Sequence, residues 1–171
     1  MHNERQWING SCTYSEESLV GLPEELVEAC RGGLIPTRFF HYFRADPAIE
    51  RVPDSEGRGL ARVGFSLSGD YIVVGSKDGK VLQVDSVDLH TVSVVNSSLN
   101  AFVAFMSLCE ERYPYYSDAG EGDFDVSIAA SEQLGEELTP LDPGALVPGT
   151  YWSDFLSDVA NGDYAEVVDE E

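Results

Sequence analysis

Basic residues are scarce in this chain. Its 171 residues include 31 Asp and Glu but only 10 Lys and Arg, which gives a net charge of −21. A chain with a pI near 4.2 lacks the positive surface that binds a phosphate backbone, and anionic membranes repel it as well. We therefore expect no direct nucleic-acid or membrane partner. The charge suits either a positively charged partner or solubility alone.

Cysteines are also few, and long apolar runs are absent. Cys12, Cys30 and Cys109 lie far apart without C-x-x-C spacing, which is typical of free thiols in a reducing compartment. The longest plainly apolar run, residues 101–106, is too short to span a bilayer. The first seven residues lack the apolar segment of a signal peptide. Together these features predict a cytoplasmic protein.

The acidic charge is unevenly distributed along the chain. Residues 1–109 contain 14 acids and 9 bases, whereas residues 110–171 contain 17 acids and one base, Arg112. Such asymmetry indicates an interaction surface or an acidic tail. The chain is 43% hydrophobic and 11% aromatic, so it has enough apolar residues for a core and the acidity does not predict disorder.

Hydrophobic periodicity predicts an α+β fold, with helices at both ends and strands between them. We expect a single domain over residues 1–171, with a short N-terminal extension and a frayed acidic C-terminal tail. Its mostly antiparallel sheet, a meander over about 62–95, would pack against the N-terminal and C-terminal helices. The Asp78-Gly79 pair predicts a hairpin with a type I′ turn, in which both central residues have positive φ.

Caps and breakers set the expected element bounds. Asn96 or Ser97 is the expected cap of a central helix that ends at Pro114, and Ser131 the cap of a short helix. The expected helices are about 23–31, 97–113, 131–138 and 151–161, the strands 38–43, 62–67, 71–75, 80–85 and 91–95, and the loops 46–59 and 114–127. Three of these helices have an apolar stripe at helical spacing, namely Leu22, Leu26 and Cys30 in the first, Leu99, Phe102, Val103, Met106 and Cys109 in the second, and Trp152, Phe155, Leu156 and Val159 in the last.

No catalytic or ligand-binding motif is complete. The segment 64–69 misses the spacing of a nucleophile elbow and falls in a predicted hairpin. The acids of 123–125 begin like a calcium loop, but Ile128 stands where the loop requires glycine. The histidines show no metal-ligand pairing. We therefore expect no enzyme activity and no catalytic, cofactor or metal site.

A tyrosine- and acid-rich segment is the best candidate for partner binding. Tyrosines are enriched in binding hot spots, and neighbouring acids steer a basic partner and set its register. The alternative is an ordinary acidic loop whose tyrosines cover the protein's own core. The candidate contact residues are Tyr113, Tyr115, Tyr116, Asp118, Glu121, Asp123, Phe124 and Asp125.

Three groups of motifs resemble the SUKH superfamily of bacterial immunity proteins, and most closely its fourth group. The likeness spans about residues 20–165 in the family's order. Ile35 departs from the usual Gly-Leu-Pro, and the loop 114–127 is longer than is typical. The motifs are Gly-Leu-Ile-Pro at 33–36 before Phe39-Phe40, the hairpin at 78–81 followed by 94–102, and Leu-Asp-Pro-Gly-Ala at 141–145 with Tyr151-Trp152 and 162–164.

The resemblance implies one α+β domain that binds and blocks a cognate toxin. Such toxins are typically nucleases or nucleic-acid deaminases of polymorphic toxin systems, and the partner would have a basic surface. The family shares no catalytic site, and its matching positions are largely fold-forming. The resemblance therefore transfers no functional residue to this chain, and the oligomeric state stays open.

Two other classes remain open at this point. SUKH-like domains also occur as regulatory scaffolds in eukaryotes, so a protein-interaction module without a toxin partner is the first alternative. A small hydrolase is the second, and it would need a Ser or Cys within hydrogen-bond reach of His41 or His90 in a pocket.

Overall fold

Six antiparallel strands form a meander whose spatial order, β1 to β6, follows the order along the chain. Every neighbouring pair is antiparallel, so short connections suffice and no crossover helix is needed. The meander expected over 62–95 is confirmed, and two further strands precede it. The strands are β1 (Arg38–Phe39), β2 (Phe43–Val52), β3 (Leu60–Ser66), β4 (Tyr71–Gly75), β5 (Val81–Val84) and β6 (Val92–Asn96).

The computed structural model describes residues 6–54, 56–90, 92–116 and 123–165. The chain divides into two compact units, residues 1–106 and 107–171. The sheet lies in the first unit, and the described part of the second unit is helical. The α+β class is confirmed, whereas the single domain and the packing of C-terminal helices on the sheet stay predictions. The expected N-terminal extension lies mostly, and the acidic tail wholly, outside the described residues. The helices are α1 (Glu24–Arg31), α2 (Leu99–Arg112), α3 (Phe124–Leu138) and α4 (Tyr151–Asn161), with 3-10 turns at Glu16–Leu19 and Pro143–Leu146.

The first half of the predicted loop 46–59 is wrong, because β2 continues through Val52. Its register with β3 shifts so that residues 46–49 lie opposite a single residue. Proline is tolerated at such a bulge, where the ladder needs no N–H. Pro47, which is typical of loops, therefore led to the wrong prediction of a loop in this part of the strand.

A nearly enclosed ion pair stabilises the bulge. The Asp46 and Arg62 side chains are only 10% and 14% exposed, and their closest nitrogen–oxygen distance is 2.6 Å. The Arg62 guanidinium carbon also lies 4.9 Å from the ring centre of Phe65 and 4.9 Å from that of Tyr71. Pairing and stacking together compensate the lost hydration of the guanidinium. Arg62 thus links β2, β3 and β4.

The Asp78-Gly79 hairpin is confirmed, but its predicted turn type is wrong. The Gly75 N–H donates to the Lys80 carbonyl at 2.9 Å, and the Gly79 N–H donates to the Gly75 carbonyl at 2.9 Å. This loop has residues 76–79 between its paired ends, and only Gly79, at φ 68°, has positive φ. The Asp78 carboxylate accepts a bond from the Lys80 N–H at 3.2 Å, which stabilises the loop without a type I′ turn.

The helix α1 is confirmed, starting one residue after Pro23. Leu26 and Cys30 on its predicted apolar face are buried, and Leu22 is half-buried.

The apolar stripe predicted for α2 is confirmed. The capping residue is Ser98, whose hydroxyl accepts a bond from the Ala101 N–H at 3.1 Å, so the expected cap at Asn96 or Ser97 is wrong by one or two residues. Phe102 meets Phe43 of β2 edge to face, with 5.5 Å between ring centres. All predicted stripe positions are buried, namely Leu99, Phe102, Val103, Met106 and Cys109.

The helix α3 is longer than predicted and begins inside the expected loop 114–127. Asp123 is its N-cap, and its carboxylate accepts a bond from the Asp125 N–H at 3.0 Å. An acidic cap suits the positive end of the helix dipole. The predicted start at Ser131 is wrong, because Ser131 lies inside the helix and donates its hydroxyl to the Leu156 carbonyl at 2.7 Å.

The helix α4 is confirmed with the predicted bounds. Thr150 and Ser153 form a capping box at its start, and Gly162 ends it at φ 84° in the left-handed region. Leu156, also in the predicted stripe, is only half-buried. The remaining stripe positions, Trp152, Phe155 and Val159, are fully buried.

The glycine at the β3 bulge gives a stability prediction. A Cβ at Gly64 would lie 2.5 Å from the Arg44 carbonyl oxygen and closer still to the Phe43 ring. We expect Gly64→Ala to lower the free energy of unfolding by about 1–3 kcal/mol through overpacking, measured by urea denaturation. Gly144→Ala is the matched control, because its nearest neighbour would be 3.9 Å away. Equal midpoints for the two variants would contradict the prediction.

Candidate partner-binding site

Two tyrosines of the predicted contact segment close helix ends inside the second unit. The Tyr115 hydroxyl donates to the Cys109 carbonyl of α2 at 2.9 Å, and the Tyr116 hydroxyl donates to the Val159 carbonyl of α4 at 2.5 Å. Both carbonyls lie among the last four of their helix, and the Val159 carbonyl also accepts the Gly162 N–H at 3.1 Å. The two hydroxyls therefore add side-chain donors at the ends of α2 and α4.

Burial supports that internal role. Tyr116 is only 7% exposed, and the half-buried Tyr115 ring lies 5.5 Å from the Tyr164 ring, centre to centre. Desolvation raises the pKa of both hydroxyls, so they stay protonated and able to donate. Tyr113 is half-buried, and its ring centre lies 5.7 Å from that of Tyr115. These tyrosines pack chiefly on the protein itself.

The other described residues of the predicted segment reach solvent at the start of α3. Asp123, Phe124 and Asp125 are all exposed, and Phe124 keeps 66% of its surface accessible. Asp118 and Glu121 lie outside the described residues. The structure therefore separates the predicted set into internal tyrosines and an exposed acidic helix start with one aromatic residue.

The inward stripe of α3 mixes serine with leucine. Ser127, Leu134 and Leu138 are buried, and Ser131 bonds to α4 as described above. An ideal Cβ at Gly162, just after α4, would lie 3.4 Å from the Ser127 hydroxyl, so the start of α3 meets the end of α4 and the two helices run antiparallel. Because serine interrupts the apolar period, the sequence concealed the first two turns of this helix.

Sequence reasoning missed the continuation of the exposed face beyond Asp125. Ile128, Glu132 and Glu136 are also exposed on α3. Their spacing from the capping residue Asp123 can be read from the sequence. It places them on one exposed side of a helix only once the helix is known to start at Phe124.

The one basic residue of the acidic segment is already paired. Arg112 lies 2.7 Å from the carboxylate of Glu137, and the guanidinium holds the pKa of that carboxyl below its usual value. The pair borders a cleft of about 180 Å³ lined by Arg112, Tyr115, Ala130, Gln133, Leu134 and Glu137. None of these described lining residues is a Ser, Cys or His, the residue types that the hydrolase alternative requires.

The buried cysteines have thiols of low reactivity. Burial raises the pKa of the Cys30 thiol to about 12 and that of the Cys109 thiol well above its usual value. Both therefore stay protonated near neutral pH, and a protonated thiol is a poor nucleophile.

Across the described ranges, no three His, Cys, Asp or Glu side chains are grouped closely enough to hold a metal ion. In the same ranges, no helix has the length and apolarity to cross a bilayer.

Comparison with known proteins identifies the family. The fold is a small α+β protein with an antiparallel meander and an acidic helical second unit. A family model described as SUKH-4 immunity protein matches residues 15–158, so the chain belongs to the SUKH-4 immunity protein family. The resemblance found in the sequence is confirmed. No curated protein and no solved structure matches the chain.

The buried hydroxyl of Tyr116 gives a second stability prediction. We expect Tyr116→Phe to lower the free energy of unfolding by about 1–2 kcal/mol, because the Val159 carbonyl loses its side-chain donor while the ring volume is kept. Thermal and urea denaturation measure the effect. Tyr71→Phe is the control, since no hydrogen bond of the Tyr71 hydroxyl occurs within the described residues. A Tyr116→Phe variant as stable as the wild type would show that this bond is dispensable.

Proposed function

We propose that this protein neutralises a cognate toxin in the cytoplasm by binding a basic surface of that toxin through its acidic second unit. The toxin class that fits is an enzyme acting on nucleic acid, a nuclease or a nucleic-acid deaminase. Membership of the SUKH-4 immunity protein family is the observation that carries this proposal.

Charge supports the proposed class of partner. Enzymes that act on nucleic acid need a basic groove for the phosphate backbone. Residues 110–171 contain 17 acids and one base, and that base, Arg112, is already paired with Glu137. A surface of this kind is complementary to such a groove and speeds encounter, although salt screens it beyond about 8 Å at physiological ionic strength.

The contact residues proposed within this unit follow from exposure. Asp123, Phe124 and Asp125 are exposed, so they can touch a partner without rearrangement. Tyr113, Tyr115 and Tyr116 support that surface from within the unit. Asp118 and Glu121 remain part of the proposed surface by sequence alone.

Co-expression tests the function directly. The probe is the protein encoded by the open reading frame next to this one, produced alone and together with this protein. We expect it to arrest growth alone, to be harmless in the pair, and to purify with this protein as a stoichiometric complex. Growth arrest that persists in the pair, or no arrest at all, would overturn the proposal. A complex without any toxicity would instead favour the regulatory interaction module.

Salt dependence tests the electrostatic part of the proposal. We expect the affinity of the purified pair to fall by about tenfold or more between about 0.05 M and about 0.5 M NaCl, because screening weakens encounter between opposite charges. Calorimetry or surface plasmon resonance gives both values. An affinity independent of salt, in a pair that still protects cells, would contradict a basic toxin surface while leaving the immunity role intact.

A further inference from the structure

The solvent-facing side of α3 carries an unusual combination of exposed side chains. Phe124 and Ile128 are 66% and 42% exposed. Residues four apart on a helix are neighbours on its surface, so these two form one apolar patch. Single exposed apolar residues are ordinary, but an adjacent pair on one helix face is a candidate contact point.

A row of acids runs beside this apolar pair. Asp125, Glu132 and Glu136 are exposed, and their spacing of seven and four residues places them in one stripe with the exposed Ala129 between them. At 100° per residue this stripe lies roughly opposite the buried stripe of Ser127 and Leu134. The acids therefore point away from the contact with α4.

These carboxylates have no partner among the residues that the structure describes. Within the described ranges, the structure shows no ion pair or side-chain hydrogen bond for Asp125, Glu132 or Glu136. Glu137, on the other flank of the helix, is in contrast paired with Arg112 at 2.7 Å. The carboxylates of the stripe are thus exposed where a partner can contact them.

We propose that this outer face of α3, defined by Phe124, Ile128, Asp125, Glu132 and Glu136, is the docking surface for the toxin. Phe124 and Ile128 enter an apolar depression beside the basic groove, and the three acids contact basic residues on its rim. This inference rests on the proposed function and specifies its surface. A buried apolar anchor surrounded by charged residues that set register is the usual arrangement of a binding hot spot.

Charge decides between this occupant and the others. A second copy of the chain would bring one acidic stripe against another, and like charges that face each other oppose association. An anionic membrane is repelled for the same reason, and the face lacks the Lys and Arg of membrane-surface helices. A basic protein surface is the occupant that complements both the acids and the apolar pair.

The apolar half of the surface is tested with Phe124→Ala and Ile128→Ala combined. With the neighbouring gene's product as probe, we expect the dissociation constant to rise about tenfold or more, mainly through faster dissociation. The thermal midpoint of the free protein should change no more than that of the control below, because the side chains removed from the two variants are covered to a similar degree. The control combines Leu141→Ala and Val147→Ala, which remove apolar side chains that are 45% and 54% exposed elsewhere in the second unit.

The acidic half is tested with a triple variant, Asp125→Asn, Glu132→Gln and Glu136→Gln. We expect slower association and a weaker salt dependence, since the rim charges act mainly on encounter. The control neutralises three exposed acids of the first unit, Glu17→Gln, Glu24→Gln and Glu28→Gln. It changes the net charge by the same amount, so a difference between the two variants reports a local effect.

The outcomes separate the surface from the function. If the wild type protects cells and both α3 variants bind as tightly as it does, the docking surface is wrong and the immunity role stands. If the two charge variants lose affinity equally, the charge acts non-locally and the assignment to α3 fails. If the wild type neither protects nor binds, the proposed function itself fails. Self-association of the free protein that disappears in the Phe124/Ile128 variant would identify a second copy as the occupant and overturn the proposal.

Discussion

One cation for seventeen acids is the constraint on which the second unit depends. Helix carbonyl ends are commonly stabilised by Lys or Arg in the last turn, but α3 and α4 have no basic residue there. Neutral hydroxyls serve instead. The Thr139 hydroxyl donates to the Gly135 carbonyl at 2.7 Å at the end of α3. The Tyr116 hydroxyl donates to the Val159 carbonyl at the end of α4. At the ends of α3 and α4, hydroxyl donors thus lie where the last turn contains no cation.

The same constraint bears on where the acids of α3 lie. A carboxylate in the interior needs a compensating charge or several donors, and Arg112 is paired with Glu137. The remaining acids of α3 therefore occupy its solvent-facing side, and its inward positions are filled by Ser and Leu. The first unit has more bases, so it can enclose an ion pair between Asp46 and Arg62. The acidic face of α3 is thus a consequence of how the unit folds, and the same side chains are exposed for recognition.

The sequence predicted most where one period dominated. The stripes of α2 and α4 are strong signals, and both helices were found close to the expected bounds. The prediction from sequence failed where the local residue types are typical of a different structure. Pro47 and Asp46 suggested a loop, yet the bulge lets the strand continue. Ser98 is the N-cap because the helix begins at Leu99. The sequence alone did not distinguish it from its neighbours Asn96 and Ser97, because Asn and Ser are both preferred N-cap residues.

The candidate site shows the same limit more clearly. Tyrosine and acid content made the segment around Asp123 the candidate site, but composition cannot tell a buried hydroxyl from an exposed one. Only the tertiary contacts show that Tyr116 faces the carbonyl of Val159 while Phe124 faces solvent. Ile128 and Glu136 were not among the predicted contact residues, because the inward serines interrupt the apolar period and so concealed the helix that relates these residues to Asp125.

The distribution of charge bears on the proposed role of the acidity. Solubility depends on net charge and is served by acids placed anywhere on the surface. In this chain residues 1–109 contain 14 acids and 9 bases, whereas residues 110–171 contain 17 acids and one base. Concentrating like charges in one unit raises their mutual repulsion and lowers the stability of that unit. The proposed attraction of a basic groove would account for this concentration, whereas solubility alone does not require it.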